Sequence, residues 1–495
     1  MAQISSSFPS YPNLSLLQEQ AAKPTLFELM KDQQVDVKTL RERAKNLKEP
    51  YQTYFSGKGI KKIESLDKKI AGFFQIRSKL QTELERIGAN PSTQNTSWSS
   101  TTSADANKDQ ETRKKIIEKI QEVSKEWGQA WLFRFDIQEI IMQNTDPDTS
   151  IRVPLRALNA FVRDLWYAFK PTQYKPMLHD IPPLAKWGRG TSATNGPYTR
   201  AYDQDPDYIQ ILSIPGRFGE KGIIGWTSIA HEVGHDLLNG KGRLIDVIEK
   251  HLQQSLPDSN PVLKTYFVNR ASEVAADILG VLLLGPAAGI GLVGLLRAYR
   301  QTLLSCTDLS HQGTHPVDIS RAYLVAYTVN TLFPPVAFQD GFEEGAPVQT
   351  WNKLCAETMK EILEDLAGSN GVIQIPSGQG TITIEPGLLA SYVENLVGTL
   401  IEFFKNYDAE QWRWNLKDNS IVDALNAGKA VSEYDSRHIV AAAFFDALKQ
   451  EIIEHPTEEL FYTPNLVFNP MDVQQTNSTR IINVFKKMIA QLVKQ

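Results

Sequence analysis

The feature that most constrains the fold of this chain is the run 278–296, whose nineteen residues carry no charge. A run of that length is long enough to cross a bilayer as a single helix. It contains five glycines and Pro286, however, and residues 284–291 at its centre read Leu-Gly-Pro-Ala-Ala-Gly-Ile-Gly. Because a Gly-Pro pair marks a turn, the run predicts two buried helices joined by a turn rather than one membrane-spanning helix.

The composition is that of a folded protein with its own hydrophobic core. The chain has 495 residues, of which 42% are hydrophobic and 22% are charged, and its two cysteines form no CxxC pair. A chain of this length buries a sizeable core without disulfides. The formal net charge of −5 argues against a general nucleic-acid-binding protein. No basic segment followed by an apolar run begins the chain, so we expect a cytoplasmic location.

An amphipathic pattern dominates the N-terminal part of the chain. Between residues 36 and 90, Ile, Leu and Phe recur every three or four positions, which predicts a helix with one apolar face. Residues 91–108 are rich in Ser, Thr and Asn without such a period, and predict a disordered loop. The helical spacing resumes at Ile116, so we expect residues 1–150 to form an N-terminal arm built on a helical hairpin.

Residues 36–90 of this arm are basic in an otherwise acidic protein, with 13 Lys and Arg against 7 Asp and Glu. A basic amphipathic helix can contact a membrane or nucleic acid. Here the basic residues are interspersed with Glu, which favours the solvated face of a packed hairpin. We therefore expect no nucleic-acid partner and treat membrane contact through the arm as an open alternative.

Two further segments follow the arm. In residues 151–325 the best strand candidate is 208–214, Tyr-Ile-Gln-Ile-Leu-Ser-Ile, which a Pro-Gly pair closes. Residues 326–495 are mostly helical by pattern, except for a hairpin expected at 371–386. The chain as a whole predicts an α+β fold that is predominantly α.

A metal-binding pattern lies at residues 231–235, His-Glu-Val-Gly-His. Positions i and i+4 of a helix share one face, so His231 and His235 can present two imidazole nitrogens to one zinc ion. Glu232 is displaced around the helix and can reach a water at the zinc without being a ligand. The alternative for these five residues alone is a pair of histidines that happen to have helical spacing.

A catalytic zinc ion needs a third protein ligand. The metzincin pattern HExxHxxGxxH is absent, because Leu238 and Lys241 stand where it needs Gly and His. Downstream, Glu273 can supply a carboxylate oxygen. Asp277 lies one helical turn further on the same face and can accept the free N–H of a ligand histidine, His231 first. Residues 239–262, between the two elements, are polar and predict an inserted mobile loop.

A third element occupies residues 313–321, Gly-Thr-His-Pro-Val-Asp-Ile-Ser-Arg. His315 precedes a proline and is expected in an extended or turn conformation, while Arg321 opens the next apolar helix. Taken alone, this segment would be read as a loop histidine and a surface arginine.

Together the three elements resemble the gluzincin family that contains the HtpX and CAAX prenyl zinc endopeptidases. That family shows, in order, HExxH, an Arg three residues before a ligand Glu, Ala-Asp-x-x-Gly and HPxxxxR. The chain matches these with Arg270 before Glu273, Ala276-Asp277 with Gly280, and His315-Pro316 with Arg321. The resemblance covers residues 222–325 of the 495.

The resemblance implies a zincin-like catalytic core with a small sheet in residues 151–325. It implies one zinc ion held by His231, His235 and Glu273, with Glu232 as the general base. It also implies that His315 lies near the zinc and helps to bind substrate or to control access.

Three more residues belong to the expected site. Arg270, Asp277 and Arg321 would support the ligands from behind, and His315 and Arg321 are our candidates to stabilise the oxyanion. These residues predict a zinc metallopeptidase that acts on a peptide or protein substrate. The alternative is a catalytically silent scaffold or binding protein of the zincin fold that acts through its helical flanks. The sequence leaves the oligomeric state open.

Overall fold

The computed structural model describes a set of ranges separated by gaps. They are 34–89, 103–169, 181–188, 211–215, 223–240, 243–300, 316, 318–333, 373–377, 380–406, 416–427, 429–431, 434–454, 486 and 488–492. Two compact units divide them, one made of the described residues up to Thr145 and the other of those from Asp146 onward. The described residues are mostly helical with two small sheets, which confirms the predominantly α form of the α+β class.

The first unit is built on a hairpin of two long helices. Its elements are α1 (Val37–Ala44), α2 (Tyr51–Tyr54), a π-helical turn (Phe55–Gly59), α3 (Ile60–Ala89) and α4 (Ser103–Asn144). The two long helices pack against each other. The apolar residues that recur every three or four positions are buried, among them Ile63, Leu66 and Ile70 on α3 and Val123, Trp127 and Ala130 on α4. The helical hairpin follows from that period.

The second long helix begins earlier than the sequence indicated. The prediction of a disordered loop over 91–108 was wrong for its last part, because α4 already begins at Ser103. Ala104 and Ala106 are strong helix formers and outweigh the polar neighbours. Residues 91–102 lie outside the described residues.

The second unit begins with α5 (Thr149–Ala168), which packs against a parallel pair of strands, β1 (Leu184–Gly188) and β2 (Ile211–Pro215). Their register runs from Leu184 opposite Ile211 to Gly188 opposite Pro215. The amide oxygen of Asn159 accepts a hydrogen bond from the backbone N–H of Ala185 at 2.9 Å and attaches β1 to α5. The predicted strand 208–214 therefore overlaps β2, and its first three residues lie outside the described ranges.

Four helices follow the sheet: α6 (Ile223–Thr227), α7 (Ile229–Leu238), α8 (Leu244–Ser255) and α9 (Pro261–Val268). The mobile loop predicted for residues 239–262 was wrong, because α8 fills its centre. The apolar residues of α8 recur at helical spacing and are buried, namely Leu244, Ile245, Ile248 and Leu252. The polar residues that suggested a loop occupy the other face of that helix.

The uncharged run forms two helices, as the Gly-Pro pair predicted. Helix α10 (Ala271–Leu284) ends at Gly285, and α11 starts at the next residue (Pro286–Arg300). Gly285 has φ 70° and ψ −156°, a conformation that L side chains rarely adopt. Among the described helices, none is long and apolar enough to cross a membrane.

The remaining elements are α12 (Asp318–Leu332), β3 (Ile373–Ser377), β4 (Gly380–Ile384), α13 (Pro386–Lys405), α14 (Leu416–Asn426) and α15 (Ser436–Glu454). Strands β3 and β4 pair antiparallel, which confirms the hairpin expected at 371–386. The boundary placed after residue 325 falls inside α12, and α12 and α10 both pack against α13. Segments 151–325 and 326–495 therefore share one hydrophobic core, because helices on both sides of the boundary bury their apolar faces together.

Candidate metal centre

Helix α7 brings the two histidines of the HExxH pattern together. His231 and His235 lie one turn apart, and their Nε2 atoms are 3.1 Å from each other. His231 is buried and His235 is half-buried. Two imidazole nitrogens at this separation belong to rings that converge on one point.

Helix α10 packs closely against α7 because small residues line the contact. A Cβ atom on Gly234 would lie 3.1 Å from the Cα atom of Ala276, and one on Gly280 would lie 3.3 Å from the backbone nitrogen of His231. Later residues of α10 thus meet earlier residues of α7, so the two helices run antiparallel. A Cβ atom at either position would make a tighter contact than side chains usually make, so the two glycines allow the backbones to approach this closely.

This packing places a carboxylate against both imidazoles. Glu273 Oε2 lies 3.4 Å from His231 Nε2, and Glu273 Oε1 lies 3.4 Å from His235 Nε2. One donor atom from each of the three residues falls within 4.8 Å of the other two. The group is buried and could hold a metal ion. Two imidazoles and a carboxylate are also the donor set of a catalytic zinc site.

The electrostatics of the group favour positive charge among these donors. Burial favours neutral imidazole at His231, but the carboxylates of Asp277 and Glu273 outweigh it and raise the pKa of His231 to about 10. Burial would raise the pKa of Glu273, yet its contacts with His231 and His235 hold that pKa well below the ordinary value. A divalent cation bound by the same atoms meets the same demand for positive charge.

An acidic residue and a basic residue lie on the Nδ1 side of His231. Asp277 Oδ1 lies 2.7 Å from His231 Nδ1. Arg321 donates from Nε to Asp277 Oδ2 at 2.8 Å and from Nη2 to Oδ1 at 2.7 Å. Burial opposes charge on Asp277, but Arg321 and His231 lower the pKa of its carboxyl. The carboxylate thus fixes the ring of His231, with Nε2 directed to His235 and Glu273. His231, His235 and Glu273 are called the ligand group, since they are the candidate metal ligands.

Arg321 does not lie where one of its two expected roles, stabilising the oxyanion, would require it. Its guanidinium lies on the Nδ1 side of His231, with Nη2 3.5 Å from that nitrogen. An oxyanion would form on the Nε2 side, so Arg321 is placed to hold Asp277 rather than to stabilise an oxyanion.

The other expected site residues lie in different positions. Glu232 is half-buried on α7 and follows His231 directly in the sequence. Arg270 immediately precedes α10, donates from Nη1 to the carbonyl of Tyr266 at 3.3 Å and lies over the Tyr266 ring at 4.2 Å. His315 lies outside the described residues, whereas the following Pro316 is described and buried.

Three residues near the site were not anticipated. Ser272 Oγ lies 3.2 Å from His235 Nδ1. Asp236 Oδ2 accepts a hydrogen bond from Trp166 Nε1 at 2.7 Å, which attaches α7 to α5. Burial raises the pKa of Asp236 to about 8, although the bond from Trp166 opposes this. Ser272 directly precedes Glu273 in the sequence, but no sequence pattern assigned it to the site, and none pairs Trp166 with Asp236.

No protein-family model, curated protein or solved structure matches this chain. Membership of the gluzincin family therefore stays a prediction that rests on the three sequence motifs.

Proposed function

We propose that this protein is a zinc-dependent endopeptidase that hydrolyses peptide bonds in a peptide or protein substrate. One observation carries the proposal: the donor atoms of His231, His235 and Glu273 lie within 4.8 Å of one another, and Glu232 follows the first of them on α7. That combination of three ligands and an adjacent, non-ligand glutamate is the one that metal-assisted hydrolysis uses.

Each residue of the site has a definite task in this proposal. His231, His235 and Glu273 hold the ion through Nε2, Nε2 and carboxylate oxygen. When bound, zinc supplies Lewis-acid polarisation of the scissile carbonyl and makes water acidic enough to lose a proton near neutral pH.

Glu232 supplies the proton transfer. Its carboxylate accepts a proton from the attacking water and later delivers it to the nitrogen of the leaving amine. Asp277 and Arg321 take no proton and keep the ring of His231 in place, since Asp277 contacts Nδ1 and Arg321 neutralises Asp277.

The test compares zinc content and hydrolysis of an unfolded protein substrate such as fluorescently labelled casein. Wild type is expected to bind one zinc ion and to cleave. Glu232→Gln is expected to keep the zinc and to lose activity by about 10²–10⁴-fold. His235→Ala is expected to lose both. Glu249→Gln, an exposed carboxylate on the neighbouring α8, is the matched control and keeps both.

Three outcomes contradict the proposal. A wild type that binds no zinc removes the metal site. A wild type that binds zinc and cleaves nothing, or Glu232→Gln with full activity, removes the catalytic assignment; the former result would favour the scaffold alternative.

A further inference from the structure

The two ring nitrogens of His235 face different partners. Nε2 is directed to the ligand group, 3.1 Å from His231 Nε2 and 3.4 Å from Glu273 Oε1. Nδ1 is directed away from the group and lies 3.2 Å from the hydroxyl oxygen of Ser272. The hydroxyl is therefore within hydrogen-bond distance of the nitrogen that does not bind the metal.

The chemistry of imidazole decides the direction of this hydrogen bond. A neutral imidazole carries one N–H and one lone pair, and a metal ion takes the lone pair. If Nε2 of His235 binds a metal, Nδ1 must carry the hydrogen. A serine hydroxyl can accept such a bond, so Ser272 Oγ is the acceptor and His235 Nδ1–H is the donor.

The other ligand histidine has the same arrangement with a different acceptor. His231 Nδ1 lies 2.7 Å from a carboxylate oxygen of Asp277. Ser272 and Asp277 are both on α10 and flank the ligand Glu273. One helix thus supplies the third ligand together with an acceptor for each histidine, a charged one for His231 and a neutral one for His235.

We propose that Ser272 is a positioning residue of the metal centre: its hydroxyl accepts the Nδ1–H of His235 and fixes that ring so that Nε2 faces the ion. The inference rests on the metal site of the proposed function. Hydrogen bonds of this kind orient ligand histidines and increase their basicity, and losing one weakens metal binding.

The chain offers a clean set of variants. Ser272 is half-buried in the first turn of α10, so Ser272→Ala removes one hydroxyl without opening a large cavity. Ser272→Thr keeps the hydroxyl and is the conservative rescue. Ser391→Ala, at an exposed position on α13, controls for the effect of exchanging serine for alanine in a helix.

The first measurement is zinc affinity of the full chain, by competition with a chromogenic chelator. Ser272→Ala is expected to bind zinc about tenfold more weakly than wild type. Ser272→Thr is expected to restore most of the loss, and Ser391→Ala to leave the affinity unchanged. The free energy of unfolding without metal is expected to be the same in wild type and Ser272→Ala.

The second measurement reports the hydrogen bond itself. In zinc-loaded protein labelled with ¹⁵N-histidine, the Nδ1–H of His235 is expected to exchange slowly with water in wild type and in Ser272→Thr. In Ser272→Ala it is expected to exchange fast, a change that a purely structural role of Ser272 would not produce.

Failures of the two proposals can be told apart. If Ser272→Ala binds zinc as tightly as wild type, or if its His235 Nδ1–H exchanges with water as slowly as in wild type, the role of Ser272 is overturned. The proposed function is unaffected by either result. A wild type that binds no zinc overturns both.

Discussion

A Cβ atom on Gly234 would lie 3.1 Å from both the Cα atom and the carbonyl oxygen of Ala276. Those are backbone atoms, which cannot turn aside as the end of a side chain can. Gly280 repeats the relationship from the opposite helix, against the backbone nitrogen of His231. Helices α7 and α10 are therefore in close backbone contact beside His231, His235 and Glu273, and this contact sets the distance between Glu273 and the two histidines.

The first prediction follows from that contact. Gly234→Ala forces α7 and α10 apart and is expected to lower the free energy of unfolding by about 1–3 kcal/mol, the usual result of overpacking. Zinc affinity falls as well, because Glu273 moves away from the imidazoles. Gly398→Ala on α13 is the control, since its Cβ would meet nothing within 4 Å. It is expected to stabilise the protein by about 0.5–1 kcal/mol. Urea unfolding and chelator competition measure both quantities; a stable Gly234→Ala with normal zinc affinity would contradict the contact.

The second prediction concerns the buried pair of Asp277 and Arg321. Arg321→Met leaves the carboxylate of Asp277 buried without the guanidinium that neutralises it, so the free energy of unfolding is expected to fall by about 3–5 kcal/mol. Asp277→Asn in the same chain removes the buried carboxylate as well. The double variant is then expected to be more stable than the sum of the two single changes predicts. Denaturant unfolding of the wild type and the three variants measures the coupling, and strict additivity would show that the pair does not interact.

The third prediction concerns the attachment of α7 to α5. Trp166→Phe removes the indole N–H that donates a hydrogen bond to Asp236 Oδ2, with 2.7 Å between Nε1 and Oδ2. The change is expected to lower the free energy of unfolding by about 1–3 kcal/mol. Because Asp236 follows His235, one of the three proposed zinc ligands, zinc affinity is expected to fall too. Trp187→Phe is the same chemical change on β1, where the indole N–H donates to the carbonyl of Ile151 at 3.1 Å. That control is expected to leave zinc affinity unchanged. If zinc affinity fell equally in both variants, the hydrogen bond between Trp166 and Asp236 would have no specific effect on the proposed metal site.

Sequence periodicity could predict the contacts that lie within one or two helices. His231 and His235 share a face because they are four residues apart, and Glu273 and Asp277 share a face for the same reason. The Gly285-Pro286 pair predicted the end of α10 because Pro286 has no N–H to continue that helix.

Contacts between distant segments could not be predicted in this way. The bond between Trp166 and Asp236 joins residues 70 positions apart, and only the packing of α5 against α7 brings them together. Helix α8 was missed because polar residues outnumber apolar ones in residues 239–262, although Leu244, Ile248 and Leu252 keep the helical period. The predicted segment boundary after residue 325 falls inside α12, because the end of the recognisable sequence motifs does not mark the end of a hydrophobic core.

The last prediction concerns the hairpin of the first unit. Arg134 on α4 is fully buried and donates to Asp67 Oδ1 of α3 at 2.9 Å and to the carbonyl of Val35 at 2.7 Å. Arg134→Met removes these two donors and a third that Arg134 directs to Gln138 Oε1. The side chain of Asp67 is 25% exposed, so part of its charge stays solvated. We expect the free energy of unfolding of this unit to fall by about 1–3 kcal/mol.

Arg41→Met is the matched control for that loss. Arg41 pairs with Glu64 at 2.8 Å, but both side chains are largely exposed, at 50% and 43%. A pair of this kind contributes less than about 1 kcal/mol. Amide hydrogen exchange along α3 and α4 distinguishes the two cases, because Arg134→Met accelerates exchange throughout the hairpin whereas Arg41→Met leaves it close to wild type. Equal exchange in the two variants would mean that the buried arginine does not hold the N-terminal segment at Val35 against the hairpin.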